Sequence, residues 1–378
     1  MIVRLQQLVL QSTPFCNIDC RYCYLPERSN RGVMSEETLH ALFTKVLRAE
    51  YLKDELSIVW ALGEPLAAPI AFYERALETA ASMCPAGVKL RHSFQTNATL
   101  ATESWCRFIK KWEVGVGVSI DGPAALHDAN RVTRSGKGTF EKTMDGLRLF
   151  RAHGIEPSVL SVISQSNLDS PDALFDFYEE NDIRHVGINV EELDGANRSS
   201  SLTACSVDER FRNFLRRAFH RFEQGNVIRS FREYDPNLIL DRVESFAKAP
   251  ILSIDRLQLL AVDYQGNFTF FGPELLGGDY ADSSRFVLGN VLNDNLEDVV
   301  HTDKFRWITG QIDEGIRACM ESCRYFGVCG GGTPSNKYYE HGTFSAAETQ
   351  YCRLRVKAVA DVLREITNDI YKSEILTA

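Results

Sequence analysis

The first 190 residues alternate between two kinds of segment. Strand-like runs VRLQQLVLQS (3–12), LSIVWAL (56–62), VKLRHSFQT (88–96), VGVGVSI (114–120), EPSVLSVIS (156–164) and RHVGINV (184–190) are separated by helix-like runs around 35–50, 69–83, 101–111, 139–153 and 169–181. Strands joined by helices of this length imply parallel βαβ units. Start signals agree: Ser35 precedes Glu36 and Glu37, and Ser170-Pro171 opens the last helix. Six such strands predict an α/β fold, a curved parallel sheet or partial (β/α)6 barrel. Its chemistry is expected where the strands end, at their carboxyl edges. A barrel of repeated units also accommodates a chain of 378 residues, more than one compact core usually holds.

Beyond residue 190 the character changes. ELDGANRSSSLTACS is loop-like and leads into long charged helical stretches to about 255. Residues 261–275, AVDYQGNFTFFGPEL, read as a hairpin turning at Gln265-Gly266-Asn267. A Gly-rich, cysteine-bearing tail (319–352) and a terminal helix from Tyr351 to about 370 follow. Divisions at 1–195, 196–260 and 261–378 are expected. Apolar content of 44%, charged content of 25% and a formal charge of −9 describe a soluble globular protein and argue against a general nucleic-acid binder. The arginine clusters RFRNFLRR (210–217) and RSFR (229–232) read as solvated helix faces. MIVRLQQLVLQS reads as a strand, not a signal peptide. No run approaches the ~18 apolar residues of a membrane helix. A cytoplasmic location with no membrane partner is expected. In that reducing compartment clustered cysteines are ligands or redox groups before they are disulfides.

Cys16, Cys20 and Cys23 fall within eight residues in PFCNIDCRYCYLP, after the first strand. Three thiolates cannot close a tetrahedral zinc site without a remote fourth ligand, and Asn17, Asp19 and Arg21 make the loop too polar for a core of free cysteines. The preferred reading is a [4Fe–4S] cluster with three protein ligands and one iron open to a chelating molecule. Gly63-Glu64-Pro65 follows the second strand. Gln95-Thr96-Asn97 ends the third, and Ser119-Ile120-Asp121-Gly122-Pro123 ends the fourth, with Arg131 beyond it. In the tail, Cys319, Cys323, Cys329 and Cys352 form a four-thiolate set that can saturate zinc or an iron–sulfur cluster. Cys84 and Cys106 read as small core residues and Cys205 as a loop thiol.

The spacing Cys-x3-Cys-x2-Cys, with Tyr22 before the last cysteine, resembles that of the radical S-adenosylmethionine (SAM) superfamily. The resemblance implies that the open iron chelates the amino and carboxylate groups of SAM, whose reductive cleavage gives a hydrogen-abstracting radical. It implies that Gly63, Glu64 and Pro65 receive the SAM amino group and that Tyr22, Gln95, Asn97 and Asp121 line its site. Ser119 and Arg131 would hold the carboxylate, the arginine through its two-armed fork, and Val190 would lie near the adenine. Trp60-Ala61-Leu62 departs from the family's usual Trp-His-x before Gly-Glu-Pro, which marks a divergent member. The tail is similar to the SPASM extension, which carries auxiliary [4Fe–4S] clusters. Three of its seven cysteines are missing: Phe270-Phe271 and GGGTPSN stand where ligands are expected. One closed auxiliary cluster is therefore expected on Cys319, Cys323, Cys329 and Cys352.

The stretches VTRSGKGTF (132–140), INVEELDGANRSSSL (188–202), FFGPELLG (270–277) and CRYFGVCGGGTPSNKYYEHGTF (323–344) resemble those of cyclophane-forming peptide maturases. That resemblance implies a ribosomal precursor peptide as substrate, hydrogen abstraction from a side-chain carbon and a carbon–carbon bond to an aromatic ring. It also implies a reductant such as flavodoxin or ferredoxin. The net loss of two hydrogens needs an electron acceptor and a base; Glu274 is the first candidate base, Glu191 and Glu192 the second. Epimerisation, thioether or formylglycine formation share every motif named, and a small-molecule radical SAM enzyme or a metal-binding regulator remains open. With the first strand at residue 3, leader recognition is expected to use the barrel, the 205–260 helices or a partner protein.

Overall fold

Helices begin where the sequence supplies caps. In the computed structural model, which describes residues 5–48, 50–234, 257–276 and 286–366, Ser35 accepts the Thr38 amide to open α1 (Glu36–Val46). After α2 (Ile70–Met83), Thr102 likewise accepts the Trp105 amide to open α3 (Glu103–Trp112). The short α4 (Ala124–His127) and α5 (Phe140–Ala152) follow, and Pro171 takes the first position of α6 (Pro171–Glu180). All five helices expected in the first half are present.

The six expected strands are β1 (Gln7–Leu10), β2 (Glu55–Trp60), β3 (Lys89–Thr96), β4 (Gly115–Ser119), β5 (Ser158–Ile163) and β6 (His185–Val190). Each pairs in parallel with the next. This is the expected α/β fold, a partial (β/α)6 barrel with a C-terminal extension. Consecutive order brings every strand's carboxyl end to the same edge. Trp60, Tyr73, Phe94, Trp105 and Phe108 pack edge to face between β2, β3, α2 and α3, and this aromatic seam holds that side of the core.

The sheet does not stop at six strands. Among the described residues it has ten, in the order β10-β9-β8-β1-β2-β3-β4-β5-β6-β7. After α7 (Val207–Gln224), β7 (Ser230–Phe231) joins β6 in parallel, and β8 (Leu259–Val262) joins the free edge of β1, also in parallel. The expected hairpin forms from β8 and β9 (Asn267–Thr269), with β10 (Gly289–Asn290) beside it. Asp263 ties the turn by accepting the Gln265 and Asn267 amides. Parts of the expected bridging region (235–256), Gly277 of the FFGPELLG stretch and the terminal helix beyond 366 lie outside the described residues.

The arginines of 210–217 differ from a free solvated face. Arg217 and Arg221 of α7 pair with Asp172, Asp176 and Glu179 of α6. Arg212 and Arg216 pair with Asp361 and Glu365 of the C-terminal helix (350–366). Acids answer these charges, so the cluster offers no free basic groove.

Candidate active site

The cysteine loop after β1 is pinned from three sides. Its backbone bonds to the segment after α4, Asp19 N to Val132 O at 2.7 Å and Arg21 N to Asn130 O at 3.0 Å. Arg134 donates to the Cys16 carbonyl at 2.8 Å, and Arg28 donates to the Cys20 carbonyl at 3.3 Å while pairing with Asp19. Asn97, at the end of β3, donates to Asn17 at 2.9 Å and approaches the Cys16 sulfur at 3.8 Å. So held, Cys16, Cys20 and Cys23 line one cavity of about 310 Å³ above the strand ends. Burial, with Glu64 adding to it, pushes the Cys16 thiol up to about 12, and burial pushes Cys20 up to about 11. Such thiols stay protonated until a cationic centre displaces their protons.

The cavity wall is built from the predicted strand ends. Gly63, Glu64, Gln95, Asn97, Ser119, Arg131, Tyr22 and Val190 all line it. Gly63 has φ +156°, and a Cβ there would stand 2.1 Å from the Thr13 carbonyl oxygen; only glycine lets the loop lie against the cysteine segment. The Glu64 carboxylate accepts from Thr96 Oγ1 (2.6 Å) and the Asn97 (2.8 Å) and Leu66 (3.0 Å) amides. Burial pushes its carboxyl up to about 7 against those bonds. Glu64 thus ties the ends of β2 and β3 together. Pro65 opens the 3-10 turn Pro65–Ala67 beside it and does not line the cavity. Gln95 donates to the Ser119 hydroxyl at 2.8 Å, which leaves that hydroxyl's own proton to donate.

Arg131 is buried and paired with Asp121 at 2.9 Å. Asp121 also accepts the Tyr22 hydroxyl and the Val162 amide. It stands behind the wall, not on it, and its carboxylate fixes Arg131 and Tyr22 from beneath. The Arg131 Nε has no hydrogen-bond partner among the described residues. A buried guanidinium on a cavity wall with a donor to spare fits an anionic ligand group there, as the SAM carboxylate would be.

The same cavity is also lined by carboxylates. Glu191, Glu192, Asp194 and Glu274 all line it. Gly195, at φ +50°, lets the 194–196 turn lie on the cysteine loop: a Cβ there would meet the Tyr24 carbonyl oxygen at 2.3 Å. Oε2 of Glu191 accepts the Ser201 amide and hydroxyl. Asn336 donates to Glu192 at 2.7 Å and to Asp194 at 3.2 Å, which ties the two carboxyls together. Burial raises both carboxyls, and it pushes Glu274 up to about 7 with Glu192 adding to the effect. Sequence reasoning missed Asp194, because Asp194-Gly195 reads as an ordinary turn.

The four tail cysteines line a second cavity of about 60 Å³. Cys319 ends the buried face of α8 (Asp303–Ser322), and Cys323 caps it. Cys329 closes the short helix Phe326–Cys329. Cys352 opens a π-helical stretch (Cys352–Ala358) of the C-terminal helix, a distortion frequent at functional sites. Four thiols on one cavity can close a [4Fe–4S] cluster with no open iron. Phe270 and Phe271, where a further cysteine is expected, are buried in the apolar core. Cys106 is a core residue, Cys84 is partly buried and Cys205 is exposed.

A family model, "Radical SAM superfamily", matches residues 10–178. An uncharacterized protein of Synechocystis sp. is 36% identical over 368 residues, covering 94% of this chain and 90% of that one. A serine-type anaerobic sulfatase-maturating enzyme of Bacteroides thetaiotaomicron is 26% identical over 344 residues, 85% of this chain and 81% of that one. The solved structure of native anSMEcpe with bound AdoMet superposes with a TM-score of 0.75 at 22% identity, covering 97% of this chain and all of that one. Streptococcus suis SuiB bound to precursor peptide SuiA gives 0.62 at 16% identity, over 93% and 76%. No helix among the described residues is long and apolar enough to cross a membrane. With the motif-bearing barrel matched and a relative similar along nearly its whole length, the chain belongs to the radical SAM superfamily, enzymes that bind S-adenosylmethionine and a [4Fe–4S] cluster.

Proposed function

We propose that this chain is a maturase of a ribosomally made precursor peptide, taking a hydrogen atom from a side-chain carbon and joining that carbon to an aromatic ring as a cyclophane. The observation that carries the reading is one cavity lined both by Cys16, Cys20 and Cys23 and by Glu192, Asp194 and Glu274. A substrate in that cavity meets hydrogen-atom abstraction and a proton acceptor in one place.

Cys16, Cys20 and Cys23 hold the [4Fe–4S] cluster and leave one iron for SAM, and together these supply one-electron cleavage chemistry when bound. Ser119 and Arg131 orient the SAM carboxylate, with Asp121 positioning the arginine. Gly63, Glu64 and Pro65 shape the amino end, Gln95, Asn97 and Tyr22 the wall, and Val190 the adenine side. Glu274 accepts the proton released when the ring regains aromaticity. Removing two hydrogens as an atom, a proton and an electron leaves one electron to place; Cys319, Cys323, Cys329 and Cys352 hold the closed auxiliary cluster suited to accept it. A flavodoxin- or ferredoxin-type reductant supplies the first electron. The divisions at 1–195, 196–260 and 261–378 and a cytoplasmic location complete the proposal.

A second reading, oxidation of a serine or cysteine to formylglycine, draws support from the sulfatase-maturating relatives. Mass alone does not separate it, because a serine oxidised to the aldehyde also loses two hydrogens. The test is co-expression with short peptides encoded beside this chain, followed by tandem mass spectrometry and hydrazide capture. A peptide two hydrogens lighter, silent to hydrazide and unfragmented between two residues supports the crosslink. Hydrazide capture overturns it in favour of the aldehyde.

A further inference from the structure

Lys337 lies on α9 (Pro334–His341) and is 3% exposed. Its Nζ donates to the Cys319 sulfur at 3.5 Å, and among the described residues it stands in no ion pair. Space is kept for it. A Cβ on Gly315 of α8 would stand 2.9 Å from Nζ and 2.3 Å from the Phe344 carbonyl oxygen. Lys357 lines the same cavity, but Glu348 already answers its charge. A buried ammonium that touches a thiol and pairs with no carboxylate among the described residues is a charge waiting for an anion.

We propose that Lys337 is a positioning residue for the four-cysteine site: its ammonium is the built-in counter-charge of a thiolate-ligated cluster and raises the potential at which that cluster accepts an electron. The inference rests on the reading that Cys319, Cys323, Cys329 and Cys352 hold an auxiliary cluster. Each electron added to such a cluster adds negative charge within a poorly solvated pocket. A fixed positive charge on a ligand sulfur lowers the energy of the reduced form more than that of the oxidised form. The same helix turn reaches the substrate cavity. Ser335 hydrogen-bonds Glu274, Asn336 donates to Glu192 and Asp194, and Lys337 touches Cys319. Three consecutive residues thus join the proton-accepting side of the site to its electron-accepting side.

The test is a spectroscopic redox titration of the full chain, anaerobically reconstituted, with iron and sulfide measured on every sample. A variant lacking all four tail cysteines first decides the underlying reading: it must lose half of the iron. If it loses none, the auxiliary-site reading fails, independently of Lys337. In Lys337→Met, iron content stays at the wild-type value and the auxiliary midpoint falls by about tenfold in the reduction equilibrium, ~59 mV for a one-electron couple. Lys337→Arg restores the midpoint most of the way, and Lys357→Met moves it far less. If Lys337→Met sheds the cluster while Lys337→Arg keeps it, the counter-charge role stands. Loss from both variants, or an unmoved midpoint at full iron content, overturns it.

Discussion

Replacing Arg131 with lysine separates the two jobs assigned to that side chain. Arg131 pairs with Asp121 at 2.9 Å through one arm and lines the cavity with Nε unpartnered. Lysine keeps the charge but concentrates its donors at one point. It can stay with Asp121 or reach a carboxylate in the cavity, but it does not present two arms. The loss is one charge-assisted hydrogen bond, about 1.5–3 kcal/mol, which weakens SAM binding about 10- to 150-fold. Asp121 remains paired, so the fold survives. Arg131→Met instead strands Asp121, which is 0% exposed, and costs about 3–5 kcal/mol of stability. The assay is equilibrium binding of SAM to anaerobically reconstituted protein, with iron content and thermal midpoint measured on the same samples. Wild-type SAM affinity in Arg131→Lys, at matched iron content, would refute the carboxylate role.

Four further outcomes follow from the same geometry. Glu274→Gln keeps releasing 5′-deoxyadenosine but loses peptide product by ~10²-fold or more; quantifying both by chromatography checks this. Because burial holds the Glu274 carboxyl near 7, and only the deprotonated form accepts a proton, wild-type product formation rises with pH through about 7 and Glu274→Gln loses that rise. Cys352→Ala lowers iron and sulfide content towards half while SAM cleavage persists, which elemental analysis and 5′-deoxyadenosine assays together reveal. Gly63→Ala forces a Cβ to within 2.1 Å of the Thr13 carbonyl oxygen and destabilises the loop by at least ~1–3 kcal/mol, seen as a lower thermal midpoint and poorer cluster retention.

Local patterns carried most of what was legible in the sequence. β-branched runs between capped amphipathic helices fixed the six parallel strands, and the cysteine spacings marked both thiol pockets. The strands' shared edge then follows from topology, and the family resemblance put Gly63, Gln95, Ser119 and Val190 there; all four line one cavity. Long-range pairing was not legible. The two-residue β7 has no periodicity of its own, and β8 looked like half of a hairpin because nothing in LLAV says that its other edge meets β1. Polar residues acting through others were also hidden. Asp121 was expected on the site wall but stands behind Arg131, Asp194 sits in what reads as a turn, and Lys337 lies on a helix whose burial depends on α8 and the 343–352 segment. Glu191, the other candidate base, lines the cavity while its Oε2 accepts the Ser201 amide and hydroxyl, a contact 10 residues along the chain that the sequence does not announce.

The most direct test follows the hydrogen atom itself. A precursor peptide deuterated at the side-chain β-carbons of its modified residues is incubated with reconstituted protein, SAM and reductant, and the released 5′-deoxyadenosine is analysed by mass spectrometry. The account predicts one deuterium in 5′-deoxyadenosine for each crosslinked peptide formed, with a product two hydrogens lighter and unreactive to hydrazide. Unlabelled 5′-deoxyadenosine formed in step with product, or label arriving only from an α-deuterated peptide, would contradict it.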